Sequence, residues 1–349
     1  MVRTKFMKAK LLIALGLAVG VSAVSGAPAS AQGEVNLYSN RTPSLITPFL
    51  DEFTKQTKIK VNIVHAETGM LERLQAEGRN TPADVVLTAD VVRIDQLAAA
   101  DLLQTVTSPV IDKNIPAVYR QHEGLWVALT SRARVAYVSK DRVKPGAIKT
   151  YEDLAKPEWK GKICTRSGKH EYNVALLAAM IVEKGEAAAE EWARGVKANL
   201  ARKPQGNDRV QVKAIKDGVC DVAIVNTYYM GLMQTNDKEP EQKEWANAAN
   251  IVFPTFGGNG TQVNISAAGI TKHAKNKDNA VKLLEFLSGD LAQKMYAEVN
   301  YEYPVKPGAE INPLVKSWGS FQPQEVSLEA VARNMALATK IMDKVDFDG

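Results

Sequence analysis

Short apolar runs alternate with segments of helical periodicity along the first hundred residues. Glu34–Ser39, Ile59–Ala66 and Ala83–Ala89 have the composition of buried strands. Each is followed by a segment in which apolar residues recur at helical spacing, at about 44–56, 69–78 and 90–100. This βαβαβ order predicts a parallel sheet with helices on its faces. In such sheets, ligands bind beyond the carboxyl ends of the strands.

The rest of the chain continues the alternation. Trp126–Lys140 and Thr261–Thr271 are long extended segments, which we expect to cross from one lobe to another and back. Shorter strands are predicted at 162–167 and 219–225. Helical periodicity predicts six further helices, at 171–184, 187–199, 210–217, 280–288, 291–299 and 328–346. A chain of 349 residues is long enough for about two domains.

The first thirty-one residues have the features of a secretory signal peptide. Four basic residues precede an apolar stretch, Leu11–Val24, that is too short to cross a bilayer, and Ala29-Ser30-Ala31 is a small-x-small cleavage site. There is no cysteine near this site to carry a lipid anchor. We therefore expect residues 1–31 to be removed, and the mature chain to be free in an export compartment without insertion into the membrane.

Loss of this leader changes the charge of the protein. The whole chain has 44 Lys and Arg residues and 39 Asp and Glu residues, which gives a net charge of +5. The leader contains four of the basic residues and no acidic residue, so the mature chain has 40 basic and 39 acidic residues and a net charge of +1. A nearly neutral chain does not indicate a nucleic acid or an anionic membrane as a partner.

The sequence lacks the motifs of several enzyme classes. It contains no His-Glu-x-x-His, no Gly-x-Ser-x-Gly, no phosphate-binding Gly-x-x-x-x-Gly-Lys and no dinucleotide-binding glycine pattern. The histidines are not spaced as metal ligands; they are His65, His122, His170 and His273. We therefore expect a binding protein and not an enzyme.

Three tyrosines follow predicted strands at the points where helices begin. Tyr172, Tyr228 and Tyr229 share this position, and a half-buried ring with a hydroxyl bonded to the backbone is the alternative interpretation for each. A free phenol has a pKa of about 10, but a bound cation of high charge deprotonates its ligands. Three phenolates neutralise a trivalent ion, and tyrosinate is an iron ligand. Zinc prefers His and Cys, and calcium prefers carboxylates and carbonyls. The pattern therefore favours Fe3+.

The sequence resembles the periplasmic ferric-iron-binding proteins that supply bacterial iron importers of the ATP-binding-cassette type. The segments that carry the resemblance extend over the mature chain and include VNLYSNR, TPADVVLTADVVRI, ALTSRARVAYVSKDRV, HEYN, NTYYMG and NYEYPV. It implies an α/β protein with the two-lobed type II periplasmic binding fold, in which each lobe is a mixed, mainly parallel sheet flanked by helices. The ligand cleft lies between the lobes. The iron-binding tyrosines of the family match Tyr172, Tyr228 and Tyr229.

The resemblance also implies a function, a partner and a domain organisation. A monomeric protein would capture Fe3+ in the periplasm and deliver it to an inner-membrane ABC permease. We expect residues 32–133 and 262–307 to form the N-terminal lobe, and residues 134–261 and 308–349 to form the C-terminal lobe.

One segment departs from the pattern of this family. Many members have a further aromatic or histidine ligand after the Tyr-Ser-x-Arg stretch, whereas this chain continues Arg41-Thr42-Pro43-Ser44. Three tyrosine oxygens leave an octahedral ion half coordinated, so water or a small anion must complete the shell, and some relatives with three tyrosines use carbonate. We expect Arg41, Arg132 and Arg134 to hold such an anion, with ordinary ion pairing as the alternative role of each arginine.

A second interpretation keeps the two-lobed fold and changes the ligand. A small anionic organic or phosphorylated solute would be gripped by the same arginines, while the tyrosines would stack on its body. The two interpretations differ in colour, because ferric iron bound to phenolate has a visible charge-transfer band.

The chain has two cysteines, Cys164 and Cys220. An even number in an oxidising compartment permits a disulfide. Two buried thiols that pack as small apolar groups are the alternative, and the sequence leaves both open.

Overall fold

The computed structural model describes residues 33–349, so the predicted leader lies outside the described residues. The βαβαβ order at the start of the described chain is confirmed. The elements are β1 (Glu34–Ser39), α1 (Thr47–Thr57), β2 (Lys60–His65), α2 (Met70–Glu77), β3 (Val85–Thr88) and α3 (Val91–Ala99). They are followed by β4 (Leu103–Gln104), α4 (Pro109–Asn114) and the long strand β5 (Val127–Ser139).

The second half of the chain contains the six predicted helices and several shorter elements. Up to the second long strand these are β6 (Ile163–Cys164), α5 (Glu171–Lys184), α6 (Glu186–Ala198), α7 (Asp208–Lys216), β7 (Val222–Asn226), α8 (Tyr228–Gln234), α9 (Glu241–Asn247) and β8 (Ala249–Val252). The remainder are β9 (Val263–Thr271), α10 (Lys277–Ser288), α11 (Asp290–Val299), β10 (Tyr303–Pro304), α12 (Pro313–Ser317) and α13 (Leu328–Lys344). The sequence analysis did not predict the short elements β4, α4, α9, β8, β10 and α12, because elements this short show too little periodicity.

The strands form one mixed sheet in the order β2-β1-β3-β9-β5-β7-β6. Strand β1 is parallel to β2 and β3, and β6 is parallel to β7. Every strand that pairs with β5 or β9 is antiparallel to it, which corrects the expectation of a mainly parallel arrangement. The reason is connectivity: a chain that leaves along β5 and returns along β9 runs in opposite directions on the two strands.

Strand β5 belongs to two separate regions of the apolar core. Its first part, with Trp126–Leu129, packs with β1, β3 and α10 in one cluster. Its second part, Ala133–Val138, packs with β7, α5 and α7 in two further clusters. Helix α13 contacts both α3 and α5. The core is thus divided along β5, and the exact lobe boundaries at 133/134, 261/262 and 307/308 stay a prediction.

Within residues 33–349, none of the helices is both long enough and apolar enough to span a bilayer.

The sulfur atoms of Cys164 and Cys220 are bonded, and the two Cα atoms are 5.9 Å apart. The bond joins β6 to the turn before β7, across a sequence separation of 56 residues. It therefore ties together the two strands that lead toward Tyr172 and Tyr228.

We expect reduction of this disulfide to lower the free energy of unfolding by about 2–5 kcal/mol, because the reduced chain has more freedom when it is unfolded. Urea unfolding with and without reductant measures the difference, and a Cys164→Ala/Cys220→Ala double variant should show no effect of reductant. Two titratable thiols in the denatured, unreduced protein would contradict the bond.

Candidate functional site

Tyr228 and Tyr229 lie at the turn between β7 and α8. The turn is fastened to β5, since the Thr227 backbone N–H donates to the carbonyl of Ala133 at 3.0 Å, and the Ala133 N–H donates to Thr227 Oγ1 at 3.3 Å. Helix α8 starts at Tyr228, so both tyrosines leave the turn on the same side, and their ring centres are 4.3 Å apart. Two consecutive side chains thus lie together, which a continuing strand would prevent.

Tyr172 lies in the first turn of α5, after the loop that follows β6. His170 caps this helix, because its Nδ1 accepts a hydrogen bond from the Tyr172 backbone N–H at 3.2 Å. Burial, together with the nearby Arg166 guanidinium, lowers the pKa of His170 to about 4. The imidazole is therefore neutral at pH 7 and is able to accept that hydrogen bond.

The tyrosines predicted from the sequence come together. The hydroxyl oxygens of Tyr172 and Tyr228 are 3.3 Å apart. Burial raises the pKa of the Tyr228 phenol well above its usual value, and the neighbouring phenols add to this effect. Burial and the nearby Asp208 raise the pKa of Tyr229 to about 12. These two phenols are therefore protonated at neutral pH in the empty protein, and a cation that binds them must displace protons.

A cavity of about 210 Å³ opens in front of Tyr172 and Tyr228. Its walls come from both parts of the divided core: α5 and α8 on one side, and the loops after β1, β2 and β3 on the other. The lining residues are Asn40, Arg41, Thr42, Leu45, Glu67, Ala89, Arg93, Arg132, Glu171, Tyr172, Tyr228 and Glu302. The cavity therefore combines phenols, carboxylates and guanidinium groups.

Arg41 and Arg132 both reach this cavity, but their partners differ. Arg41 is buried and forms an ion pair with Glu302 and a hydrogen bond to Ser266 Oγ. Arg132 donates to Ser266 Oγ at 3.2 Å and to the carbonyl oxygen of Ala89. Burial lowers the pKa of Arg132, but Glu302 and the phenols outweigh this and raise it above its ordinary value. Arg132 therefore places a positive charge near the phenols, and its own hydrogen-bond acceptors, a hydroxyl and a carbonyl oxygen, are neutral.

The structure places Arg134 away from this cavity, although the sequence analysis grouped it with the other two arginines. Its Nη1 forms an ion pair with Asp208 at 2.5 Å, and its side chain is 1% exposed. Strand β5 pairs with β9 as far as Ala133 and with β7 from Arg134 onward. The chain thus passes from one core region to the other between Arg132 and Arg134. The guanidinium group of Arg134 therefore lies behind the tyrosines and not in the cavity.

Sequence reasoning missed several charged residues of the cavity. Glu302 pairs with Arg41, and Arg93 forms a 3.0 Å ion pair with Glu171, which adjoins Tyr172. Both pairs join residues that are far apart along the chain, so no local sequence pattern predicts them. Glu302 does lie within NYEYPV, one of the segments that carry the family resemblance.

Known proteins resemble this chain in sequence. The family described as bacterial extracellular solute-binding protein matches residues 38–294. Iron uptake protein A1 of Synechocystis sp. is 42% identical over 315 residues, which cover 90% of this chain and 87% of that protein.

Two solved structures show a similar fold. The apo ferric ion-binding protein A of Pasteurella haemolytica superposes with a TM-score of 0.85 at 53% identity, over 90% of this chain and 98% of its own. The Trichodesmium protein FutA, in complex with iron and citrate, gives a TM-score of 0.86 at 40% identity, over 90% of this chain and 100% of its own. The chain thus has the two-lobed type II periplasmic binding fold.

We expect Glu302→Gln to lower the free energy of unfolding by about 3 kcal/mol, because it leaves the buried Arg41 charge without its partner. Urea unfolding of the iron-free protein measures the change. Glu190→Gln is the matched control: it breaks the surface pairs with Arg194 and Lys344, and such pairs contribute about 0–1 kcal/mol each. Equal effects of the two substitutions would show that the buried pair has no special weight.

Proposed function

We propose that this chain, which belongs to the bacterial extracellular solute-binding protein family, captures Fe3+ in the periplasm through the phenolates of Tyr172, Tyr228 and Tyr229. The observation that carries the proposal is the clustering of these tyrosines: the Tyr172 and Tyr228 oxygens are 3.3 Å apart at the cavity, and the Tyr229 ring packs against that of Tyr228 with 4.3 Å between ring centres. The names of its relatives, an iron uptake protein and a ferric ion-binding protein, support the same ligand.

The proposed chemistry exchanges protons for the ion. Burial keeps the phenols of Tyr228 and Tyr229 protonated when the site is empty. Ferric iron is a hard cation of high charge and deprotonates them, so that three phenolates balance its three charges. Acid opposes binding, because protons and the ion compete for the same phenol oxygens. Iron must displace a proton from each phenol, and a lower pH favours the protonated, iron-free form.

An exogenous anion would complete the coordination of the ion. Thr42 lines the cavity where many family members supply another ligand, and its hydroxyl is a much weaker donor than a phenolate or an imidazole. We assign the anion to Arg132 and Arg41, with carbonate as the anion that fits a small cavity. Arg132 is the principal contact, because Arg41 is already in a direct ion pair with Glu302, whereas Arg132 donates to a hydroxyl and a carbonyl oxygen. Arg134 would have to leave Asp208 to take part.

The rest of the transport role follows from the family. Solute-binding proteins of this kind deliver their ligand to an inner-membrane ABC permease, and we assign that role to a monomer of this chain after removal of residues 1–31. Tyrosines from one lobe and arginines from the other would hold the ion and its anion together, so binding would favour closure of the cleft.

Purified protein mixed with ferric iron should develop a visible charge-transfer band, which an organic anion as the ligand would not produce. Tyr228→Phe and Tyr229→Phe should each lower the affinity for Fe3+ by more than about 100-fold, because each removes an anionic oxygen and not an outer partner, whose loss typically costs about 10–100-fold. Titrations followed at the band measure both effects.

Tyr303→Phe is the control for these variants, since the Tyr303 hydroxyl is also buried but its ring packs against Phe321 and not against the tyrosine cluster. It should keep the colour and the affinity of the wild-type protein. If Tyr228→Phe also keeps both, Tyr228 is a packing residue and not a ligand.

We expect the affinity for Fe3+ to fall in buffer depleted of bicarbonate, and Arg132→Gln to remove most of that dependence. Its guanidinium supplies the charge on which the anion is held, so without it bicarbonate has little to stabilise. Arg41→Ala should have a smaller effect in the same direction. Paired titrations with and without added bicarbonate test this, and undiminished affinity in depleted buffer would leave water as the remaining ligand.

A further inference from the structure

One buried guanidinium group connects the two segments that carry the tyrosines. Arg134 Nη2 donates to the side-chain oxygen of Asn173 at 2.8 Å, and Nη1 donates to that of Asn226 at 3.1 Å. Asn173 directly follows Tyr172, and Asn226 lies two residues before Tyr228. The planar fork of one arginine thus spans the gap between the start of α5 and the turn before α8.

Asp208 holds Arg134 in place. Its Oδ2 accepts from Arg134 at 2.5 Å and also from the Asn226 backbone N–H at 3.0 Å. Its Oδ1 accepts from Arg166 at 3.3 Å. Asp208 is 0% exposed, so its carboxylate depends on these protein groups for its hydrogen bonds. One carboxylate therefore sets the position of the arginine and of the turn that leads to Tyr228.

The remaining bonds of Asn173 and Asn226 make both ends of this connection rigid. Asn173 Nδ2 donates to Thr165 Oγ1 and to the carbonyl of Arg166, each at 3.0 Å, which fastens the loop after β6 to α5. The Tyr137 hydroxyl donates at the other end, with the carbonyl oxygen of Asn226 at 3.2 Å. Movement of either tyrosine-bearing segment would break bonds to buried groups that have no water to replace them.

We infer that Arg134 is a positioning residue for the tyrosine cluster: it sets the distance between the Tyr172 phenol and the Tyr228–Tyr229 pair from behind the site. The inference rests on the proposed function, because the distance matters only if the phenols bind one ion together. Ligand sets work when they are held within about 0.5 Å of the required geometry by supporting groups. Arg134 is that support here, and its role differs from the anion contact assigned to Arg132.

The charge of the network suits the same task. Arg134 and Arg166 share the single carboxylate of Asp208, which leaves one positive charge in excess. Both guanidinium carbons lie near the Tyr172 ring, at 5.7 Å and 5.1 Å from its centre. A cation at this distance from an aromatic ring attracts the face of that ring. The network therefore contacts the Tyr172 ring itself as well as the segments on either side of it.

The test compares Arg134→Lys with the matched control Arg142→Lys. Arg142 is also paired with an aspartate of the same half of the chain, Asp221, at 2.6 Å, but its other bonds go to the carbonyls of Ile215 and Cys220. Arg134→Lys keeps the charge and loses the fork. We expect it to lower the affinity for Fe3+ by about 10–100-fold, the range for outer partners of metal ligands, and to shift the maximum of the visible band.

Arg142→Lys should leave both the affinity and the band unchanged. A role confined to folding would lower the free energy of unfolding without moving the band, so wild-type affinity and band in folded Arg134→Lys overturn the inference.

Asn226→Ala provides a second variant in case Arg134→Lys does not fold. It removes one acceptor of the arginine and leaves the ion pair with Asp208 in place. We expect about a tenfold loss of affinity for Fe3+ and a band shift in the same direction. An unchanged band in Asn226→Ala overturns the inference while the proposed function stands. A wild-type protein that shows no ferric band at all overturns both.

Discussion

Phenols and guanidinium groups, buried together, impose the constraint on which the site depends. Burial raises the pKa of Tyr228 and Tyr229, which disfavours the anionic form that a ferric ion requires. The buried charge of Arg132 acts in the opposite direction on Tyr228. The phenols of the empty site are therefore held neutral, and in the proposed function they would become negative oxygens only when a cation displaces their protons. Such a site would discriminate by charge, because a weakly charged ion does not displace the protons.

Strand β5 positions both the guanidinium groups and the turn that carries two of the tyrosines. It carries Arg132 into the cavity and Arg134 into the interior behind the tyrosines, and it also holds the turn at Thr227. The same strand pairs with β9 on one side of the divided core and with β7 on the other. A change in the relation between the two halves therefore acts on the cations and on the phenols together. Capture and release of the ligand would therefore both depend on strand β5, which connects the two halves of the core.

The local parts of the fold could be predicted from the sequence because their signals are local. The strands and helices before residue 100 agree with their predicted ranges within a few residues, since alternating apolar runs and helical spacing are read within one segment. The short elements β4, α4, α9, β8, β10 and α12 were not predicted, because each has too few residues to show a period. The antiparallel pairing of β5 and β9 was not predicted either, because the direction of a strand relative to its neighbours depends on the path of the whole chain.

The sequence by itself determined the residue types of the site. It supplied tyrosines where strands give way to helices, and it left the Arg41–Ser44 segment without a phenol or an imidazole. Only the tertiary structure decided which charges are free to act. Arg132 and Arg134 are two residues apart on one strand, yet one faces the cavity and the other is held by Asp208. Glu302 reaches Arg41 from 261 residues away. A buried charge cannot be solvated by bulk water, so it pairs with the charged group that the packed chain places beside it. That partner is set by distance in space and not by distance along the sequence.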